Sequence, residues 1–315
     1  MTLEALAVDG IGEVAAGTDL ARLVADHVEL LDGDVVVVTS KIVSKALGLA
    51  TAEPRDDVVE RCTDRDVARR GPVRIVRTRS GLTLAAAGVD ASNLEAGLAL
   101  PLPDDPDREA RLLRRGLLEL TGRDVAVVVS DTAGRAWRVG QTDIAIGCAG
   151  LVPSESFAGR EDTHGNPLAV TAPAVADEVA SVAELASGKL GGRPVVRVRG
   201  LAPHLLLAED GPGAAALVRP EQDDLFGLGS RDAVLAAMHG GAPRGFPADP
   251  GTQVGTLLQL ARPGDLVTTE DDRRVRIHAD PQRPATLVEA GALRQRLVAV
   301  AAAHGVDLDV VVDLG

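Results

Sequence analysis

Hydrophobic residues along the chain form short β-branched runs separated by amphipathic stretches. The segment "DGDVVVVTS" (residues 32–40) predicts a turn and then a strand buried on both faces, because a continuous apolar run between turn residues is typical of such strands. A second segment, "RDVAVVVSDTAG" (residues 123–134), repeats this pattern. In both segments the valines run directly into polar residues, so each strand is expected to present polar side chains where it ends.

The same patterns predict the remaining elements. Expected helices cover residues 18–31, 56–70, 108–120 and 172–187, and expected strands cover residues 3–8, 73–76, 82–87 and 193–201. A charged, glycine-containing linker is expected at residues 220–230, between a domain at residues 1–219 and a small α/β domain of unknown role at residues 231–315. In the small domain we expect a helix, a Pro/Gly-rich stretch (240–251), a helix, strands at 265–269 and 273–279, a helix and a last strand (306–314).

Composition and charge exclude several classes of function. The formal net charge is -13, and the chain has one Trp, three Phe and no Tyr, which argues against a nucleic-acid partner. Cys62 and Cys148 lie far apart and in no metal-ligand spacing, so neither a disulfide framework nor a zinc site is indicated. The amino-terminal residues do not resemble a signal peptide, and no apolar segment is long enough to span a membrane. We therefore expect a cytoplasmic protein without a membrane partner.

Three polar segments are candidates for chemistry. Asp90, Ser92 and Asn93 fall within one turn, and Asp131 and Thr132 follow the second valine-rich strand. The third candidate is a helix with polar residues at i, i+4 and i+7, which share one face: Asp177, Ser181 and Glu184. Carboxylates that converge from separate segments suit Mg²⁺ or Mn²⁺, which prefer oxygen ligands.

Basic residues near these turns suggest phosphate as the ligand. Lys41, Lys45, Arg135 and Arg138 could hold phosphate groups that a metal leaves unneutralised, which favours phosphoryl chemistry on a nucleotide. Each piece also has a simpler reading, since an Asp after a strand is more often a cap or turn residue, and a polar helix stripe is usually a solvated face. The chain has neither a P-loop nor a G-x-G-x-x-G fingerprint after a strand, so any nucleotide site must be of another design.

Taken together, several segments resemble one family, the coenzyme F-420-0:L-glutamate ligases. The matching segments run in the family's order over residues 1–201: "DGIG", "VVVVTSKIVSKALG", "AGVDASN", "ELTGRDVAVVVSDTAGRAWRVGQTDIAIGCAGL", "GREDTHGNPLAVTAPAVADEVASVAELASGK" and "RPVVRVRGL". The resemblance implies an enzyme that uses GTP and Mg²⁺ or Mn²⁺ to join L-glutamate to the lactyl carboxylate of coenzyme F-420-0. An acyl phosphate would form first, and the glutamate amine would then displace phosphate; further γ-linked glutamates could follow. K⁺ is a further candidate cation.

The resemblance also assigns residues to roles. It implies metal ligands at Asp90, Asp131 and Thr132. From the basic residues near these ligands we also expect a catalytic group formed by Asp131, Arg135 and Arg138. It implies contacts to GTP from the following residues: Asp9, Gly10, Ile11, Gly12, Ser40, Lys41, Lys45, Asn93, Gly188 and Lys189.

Fold and assembly follow from the same resemblance. It implies a homodimer with a mixed-sheet α+β ligase fold, distinct from P-loop and Rossmann folds, here followed by the small α/β appendage. Two-domain relatives carry a flavin-binding nitroreductase-like domain, for which residues 231–315 are too few, so no flavin is expected. A rival hypothesis is a non-catalytic relative that binds nucleotide or deazaflavin as a sensor or assembly factor.

Overall fold

The computed structural model describes residues 2–92, 94–240, 249, 251–266, 268–271 and 273–314. The chain divides into two compact units, residues 1–219 and 220–315. The strands of the first unit are β1 (Glu4–Ala7), β2 (Val35–Thr39), β3 (Thr63–Arg70), β4 (Val73–Thr78), β5 (Thr83–Ala85), β6 (Ala126–Gly134), β7 (Gln141–Ala149), β8 (Arg160–Glu161), β9 (Pro167–Leu168) and β10 (Val195–Arg199). Its helices are α1 (Leu20–His27), α2 (Ser40–Ala46), α3 (Arg55–Cys62), α4 (Pro106–Thr121) and α5 (Val175–Ser187).

A five-stranded mixed sheet forms the centre of the first unit, in the order β1-β10-β2-β6-β7. Only the β2–β6 pair is parallel; β1–β10, β10–β2 and β6–β7 are antiparallel. The valine runs of β2 and β6 lie side by side, with Val35 opposite Ala126 and Thr39 opposite Ser130. The predicted α+β class and the two buried strands are therefore confirmed.

Helices cover both faces of this sheet, which explains why β2 has no polar alternation. Val36 and Val38 face a core shared with α1, α2 and α4. Val35 and Val37 face a second core, which contains the apolar side of α5. A strand covered on both faces buries successive residues, and all four valines are at most 3% exposed.

Two sequence predictions for this unit are wrong. The helix expected at residues 56–70 ends at Cys62, and residues 63–70 form β3, which pairs with β4 in a three-stranded sheet, β3-β4-β5. The second valine strand does not end at Ser130 but continues as β6 to Gly134 and forms a hairpin with β7, which had not been predicted. Asp131 and Thr132 therefore lie within a strand, not in a turn that follows it.

A bulge interrupts the β6–β7 ladder. Val129 pairs with Gly147, but the next residue of β6, Ser130, pairs with Ala145, so β7 contains one extra residue at this point. Beyond the bulge the ladder is regular as far as Gly134 and Gln141, and it places Thr132 opposite Asp143.

The second unit has its own small core. It contains α6 (Gly229–Met238), α7 (Val254–Ala261), β11 (Thr268–Asp271), β12 (Arg274–His278), α8 (Pro284–His304) and β13 (Asp309–Asp313). The strand order is β11-β12-β13, with β12 and β13 parallel and α8 between them in sequence. Ile277, Leu293 and Leu297 are fully buried in this core. The element order agrees with the sequence prediction, although most of the Pro/Gly-rich stretch lies outside the described residues.

No helix in the described ranges is at once long and apolar enough to cross a bilayer.

Candidate active site

The predicted site segments meet at one edge of the central sheet. Because β2 and β6 are parallel and the other pairs antiparallel, β1, β2 and β6 end at this edge, and β7 and β10 begin there. Backbone hydrogen bonds close the edge: the N–H of Thr39 donates to the carbonyl of Pro194 (3.0 Å), and that of Val8 donates to Val195 (2.9 Å). The topology thus brings residues from distant parts of the sequence together.

Asp131 is the most perturbed carboxylate at this edge. Its Oδ1 accepts a hydrogen bond from the Ser40 hydroxyl over 2.8 Å, because Ser40 and Asp131 each follow one member of the Thr39–Ser130 pair. Burial and the negative charges of Asp143 and Asp90 raise the pKa of Asp131 to about 6, against the lowering effect of the Ser40 bond. An anion in this position is stabilised by any cation that binds nearby.

Asp90 joins the site through Lys41, at the start of α2. The Lys41 Nζ lies 2.7 Å from Asp90 Oδ2 and 2.9 Å from the Ser92 hydroxyl, which itself donates to Asp90. Burial alone would raise the pKa of Asp90, but the hydrogen bonds from Lys41 and Ser92 outweigh it, and the pKa is lowered. Asp90 is therefore a stable anion, in contrast to Asp131.

Asp131 and Thr132 point to opposite faces of the sheet, as successive strand residues must. Val127, Val129 and Asp131 alternate along one face of β6, the face that packs against α2. Ala126, Val128 and Thr132 lie on the other face, which packs against α5. The two side chains predicted to bind metal therefore lie on opposite sides of the sheet edge, which favours two cation positions over one.

Asp143, in β7, is a site residue that sequence reasoning missed. It is 7% exposed, and its two oxygens accept hydrogen bonds from the Thr132 hydroxyl (2.7 Å) and the Ser130 hydroxyl (3.1 Å). A sequence signal was present, since Ser130 and Thr132 alternate on one face of an otherwise apolar strand. Only the register of β7 shows which residue they contact.

Lys189 completes the face next to α5. Its Nζ is 2.7 Å from Thr132 Oγ1 and 3.5 Å from Asp143 Oδ1, and it forms an ion pair with Glu184. Burial lowers the pKa of Lys189, but the hydrogen bond and charge of Glu184, together with Asp143, outweigh burial and raise it. Gly188, which directly precedes this lysine, has φ of +64°, a conformation that favours glycine, and its backbone redirects the chain at the end of α5.

The polar stripe on α5 binds the backbone of β7. Asp177 accepts the N–H of Ala145 and Glu184 accepts the N–H of Asp143, each over 2.9 Å, while the Ser181 hydroxyl donates to the Asp143 carbonyl (3.0 Å). Since β7 is the last strand of the sheet, these side chains satisfy backbone groups that no further strand pairs with. The stripe is thus neither a solvated face nor primarily a metal-binding face.

Of the other predicted site residues, some lie at this sheet edge and others lie in the tip of the β6–β7 hairpin. The turn at residues 9–12 lies at the same edge, with Ile11 in the core, and Glu13 just beyond it pairs with Lys45. Arg135 donates to the Val139 carbonyl (3.0 Å) within the tip of the β6–β7 hairpin, and Arg138 is exposed in that tip. Asn93 lies outside the described residues.

The donor atoms at this edge fit a hard divalent cation. Asp90, Asp131 and Asp143 supply carboxylates and Thr132 a hydroxyl, all oxygen donors of the kind that Mg²⁺ and Mn²⁺ prefer. Among the described residues no group of three or more His, Cys, Asp and Glu side chains is arranged to hold a metal ion. An ion would therefore complete its coordination with phosphate oxygens and water.

Comparison with known proteins supports the resemblance. A family profile described as F420-0:Gamma-glutamyl ligase matches residues 52–200. A coenzyme F420:L-glutamate ligase from Methanothermobacter thermautotrophicus is 40% identical over 253 residues, which cover 72% of this chain and 99% of that protein. The chain belongs to the F420-0:gamma-glutamyl ligase family.

Two further relatives with the same name extend the comparison. The protein from Methanopyrus kandleri is 39% identical over 235 residues, or 68% of this chain and 93% of that protein. The protein from Archaeoglobus fulgidus is 38% identical over 221 residues, or 64% of this chain and 89% of that protein. The family profile covers α3 through β10, so Asp90, Asp131, Asp143 and Lys189 all fall within it.

Proposed function

We propose that this protein joins L-glutamate to coenzyme F-420-0, using GTP and a divalent metal ion. The observation that carries the proposal is the convergence of Asp90, Asp131 and Asp143 with Ser40 and Lys41 at one sheet edge. The acidic residues would hold Mg²⁺ or Mn²⁺, and Lys41 and Lys45 would hold phosphate oxygens. Family membership supports glutamate and coenzyme F-420-0 as the substrates, since the relatives are named as coenzyme F420:L-glutamate ligases.

The proposed reaction has two steps. A carboxylate oxygen of the acceptor attacks the γ-phosphorus of GTP, the bond to GDP breaks, and an acyl phosphate results. The glutamate amine, having lost its proton, then attacks the acyl carbon, and phosphate leaves as the amide forms. When bound, the metal ion would neutralise charge on the phosphoryl group, which otherwise repels the incoming carboxylate.

The chain's own residues prepare the site for this chemistry. Ser40 fixes the orientation of Asp131, and Lys41 and Ser92 fix that of Asp90, so both carboxylates are in place before a cation arrives. Asp143 orients the Thr132 hydroxyl by accepting a hydrogen bond from it. Such prior ordering reduces the reorganisation that binding would otherwise require.

A mass-resolved ligase assay tests the proposal. Purified protein is incubated with coenzyme F-420-0, GTP, L-glutamate and either Mg²⁺ or Mn²⁺, and the product mass should rise by one glutamyl residue or more. Omission of metal, or Asp131→Ala, should abolish the shift, while Asp162→Ala in the exposed β8–β9 turn should not. An unchanged acceptor mass under all conditions would refute the proposal, and tight nucleotide binding without turnover would favour the non-catalytic rival.

The assembly is proposed on the family resemblance alone. We expect a homodimer, and sedimentation equilibrium on the full chain measures it directly. A monomer at assay concentrations that retains full activity would show that a dimer is not required.

A further inference from the structure

Lysine has an unusual distribution in this protein. The chain contains 33 Lys and Arg residues, of which only three are lysines: Lys41, Lys45 and Lys189. All three lie at the sheet edge described above, where each pairs with a carboxylate: Asp90, Glu13 and Glu184, respectively. A lysine ammonium is a compact point charge on a flexible stem, whereas an arginine is a planar fork that holds its partner in fixed geometry. A lysine can therefore leave its partner more readily than an arginine, and of the three lysines Lys189 is the most exposed.

Lys189 has the most acidic surroundings of the three. Its ammonium contacts the Thr132 hydroxyl oxygen at 2.7 Å, lies 3.5 Å from Asp143 Oδ1 and pairs with Glu184. The Thr132 hydroxyl donates its single proton to Asp143, so it faces the ammonium with an oxygen lone pair. That lone pair is also what Thr132 would offer to a metal ion.

We infer that Lys189 is an internal cation that competes with the divalent metal for the position bounded by Thr132, Asp143 and Glu184. This inference rests on the proposed function, which requires a metal at this edge. An ammonium and a divalent ion cannot share this position without strong repulsion, so the lysine must leave when the metal enters. In the resting enzyme, Lys189 balances the charge of Asp143 and Glu184.

The surroundings allow this exchange. The Lys189 side chain is 59% exposed, so it can turn into solvent without leaving a cavity. Glu184 is held independently, because its Oε2 accepts the N–H of Asp143. Arg193 anchors the following loop through two bonds to the Ser187 carbonyl, at 3.1 and 2.8 Å. Departure of the ammonium therefore leaves the oxygen donors in place.

The inference opposes a simple role in nucleotide binding, and the two predict different results. If Lys189 only bound phosphate, Lys189→Gln would weaken GTP binding and leave metal binding unchanged. If Lys189 competes with the metal, Lys189→Gln should tighten metal binding by roughly 5- to 10-fold, the order expected when one nearby charge is removed from a partly exposed site.

Titration of the free protein with Mn²⁺, followed by electron paramagnetic resonance without nucleotide, measures this directly. Lys189→Arg keeps the charge and should retain wild-type affinity or bind more weakly. Arg160→Gln, in the exposed β8–β9 region, removes a charge elsewhere and should bind as wild type does. Unchanged or weaker Mn²⁺ binding by Lys189→Gln, or no binding by any variant, would overturn the inference.

A second measurement follows the lysine itself. Reductive ¹³C-methylation retains the charge of each lysine and labels only three side chains and the amino terminus, so the signals can be assigned by lysine-to-arginine variants. Addition of Mg²⁺ should shift the Lys189 signal more than that of Lys45, which pairs with Glu13. An unmoved Lys189 signal at saturating Mg²⁺ would contradict displacement. Neither experiment requires turnover, so they can fail or succeed independently of the ligase assay.

Discussion

The Ser40 hydroxyl donates to the Asp131 carboxylate over 2.8 Å and so links two residues that are 91 positions apart in sequence. The contact exists because β2 and β6 are parallel and in register at Thr39 and Ser130. The pairing of the two valine-rich strands thus brings the Ser40 hydroxyl to the carboxylate that we propose as a metal ligand.

Removal of this hydroxyl should change the titration of Asp131. Since the Ser40 bond lowers the pKa of Asp131, Ser40→Ala should raise that pKa further and move the acidic limb of the pH–rate profile to higher pH. We expect activity at neutral pH to fall about 10-fold, the loss of roughly one hydrogen bond to a charged group. Ser44→Ala is the matched control: Ser44 is buried in the same helix, and its hydroxyl has no hydrogen-bond partner among the described residues. A shift of equal size in both variants would argue against the contact.

Replacement of Asp131 should alter how stability depends on pH. Its native pKa of about 6 exceeds the ordinary value of 3.8, so the native state holds the proton more tightly and the free energy of unfolding falls as pH rises between these values. The loss approaches about 3 kcal/mol at neutral pH, at 1.36 kcal/mol for each pKa unit. Asp131→Asn should remove this loss, so its stability relative to wild type increases with pH in denaturant titrations with EDTA.

Asp90→Asn provides a control of opposite sign. Because the native pKa of Asp90 is lowered, its ionised form stabilises the native state, and that contribution is lost as pH falls through the native pKa. The variant should therefore be less stable than wild type at neutral pH and approach it in acid. The same pH trend in both variants would show that the two carboxylates are not in contrasting environments.

Asp143 should affect activity through its hydrogen bond with Thr132, a predicted metal ligand. Asp143→Asn keeps the size of the side chain but leaves one acceptor oxygen for two hydroxyl donors, Ser130 and Thr132. We expect a loss of 10- to 100-fold in activity, the range typical when a partner of a metal ligand is replaced, with a raised metal requirement in steady-state kinetics. Asp162→Asn, on the exposed β8–β9 turn, should retain wild-type kinetics.

Asp177 should matter for stability and not for chemistry. Asp177→Ala leaves the N–H of Ala145 without its acceptor, which should cost about 1–3 kcal/mol in chemical denaturation. Asp177→Asn keeps an acceptor oxygen and should restore most of that stability together with near-wild-type turnover. Loss of activity in a stably folded Asp177→Asn would instead place this residue in the catalytic machinery.

Local sequence predicted the elements whose patterns are strong. The strands β2 and β6 and the amphipathic helix α4 form because their apolar residues are buried. Burial of this kind gives a pattern of apolar positions that can be recognised in the sequence. Residues 63–70, "TDRDVARR", have the charge density of an exposed helix, but their pairing with β4 makes them a strand. Tertiary pairing of this kind has no local signal.

The candidate site was predicted in part for the same reason. Asp131 and Lys41 stand out because they come shortly after buried valine runs, and the valine runs of parallel strands end at the same edge of the sheet. Asp143 does not stand out, because its role depends on which residue of β6 it faces. The stripe of Asp177 and Glu184 was visible as a helical pattern, but its partner, the backbone of β7, cannot be read from side-chain identities.

The bulge in β7 has a consequence for how the acidic groups are divided. A regular ladder continued from the Val127–Ala149 pair would set Asp143 opposite Ala133, on the same face as Asp131. The single extra residue instead sets Asp143 opposite Thr132, so Asp131 and Asp143 lie on opposite faces of the sheet. Under the proposed function each carboxylate would take its own cation, while the negative charge of Asp143 still raises the pKa of Asp131 through the intervening strand.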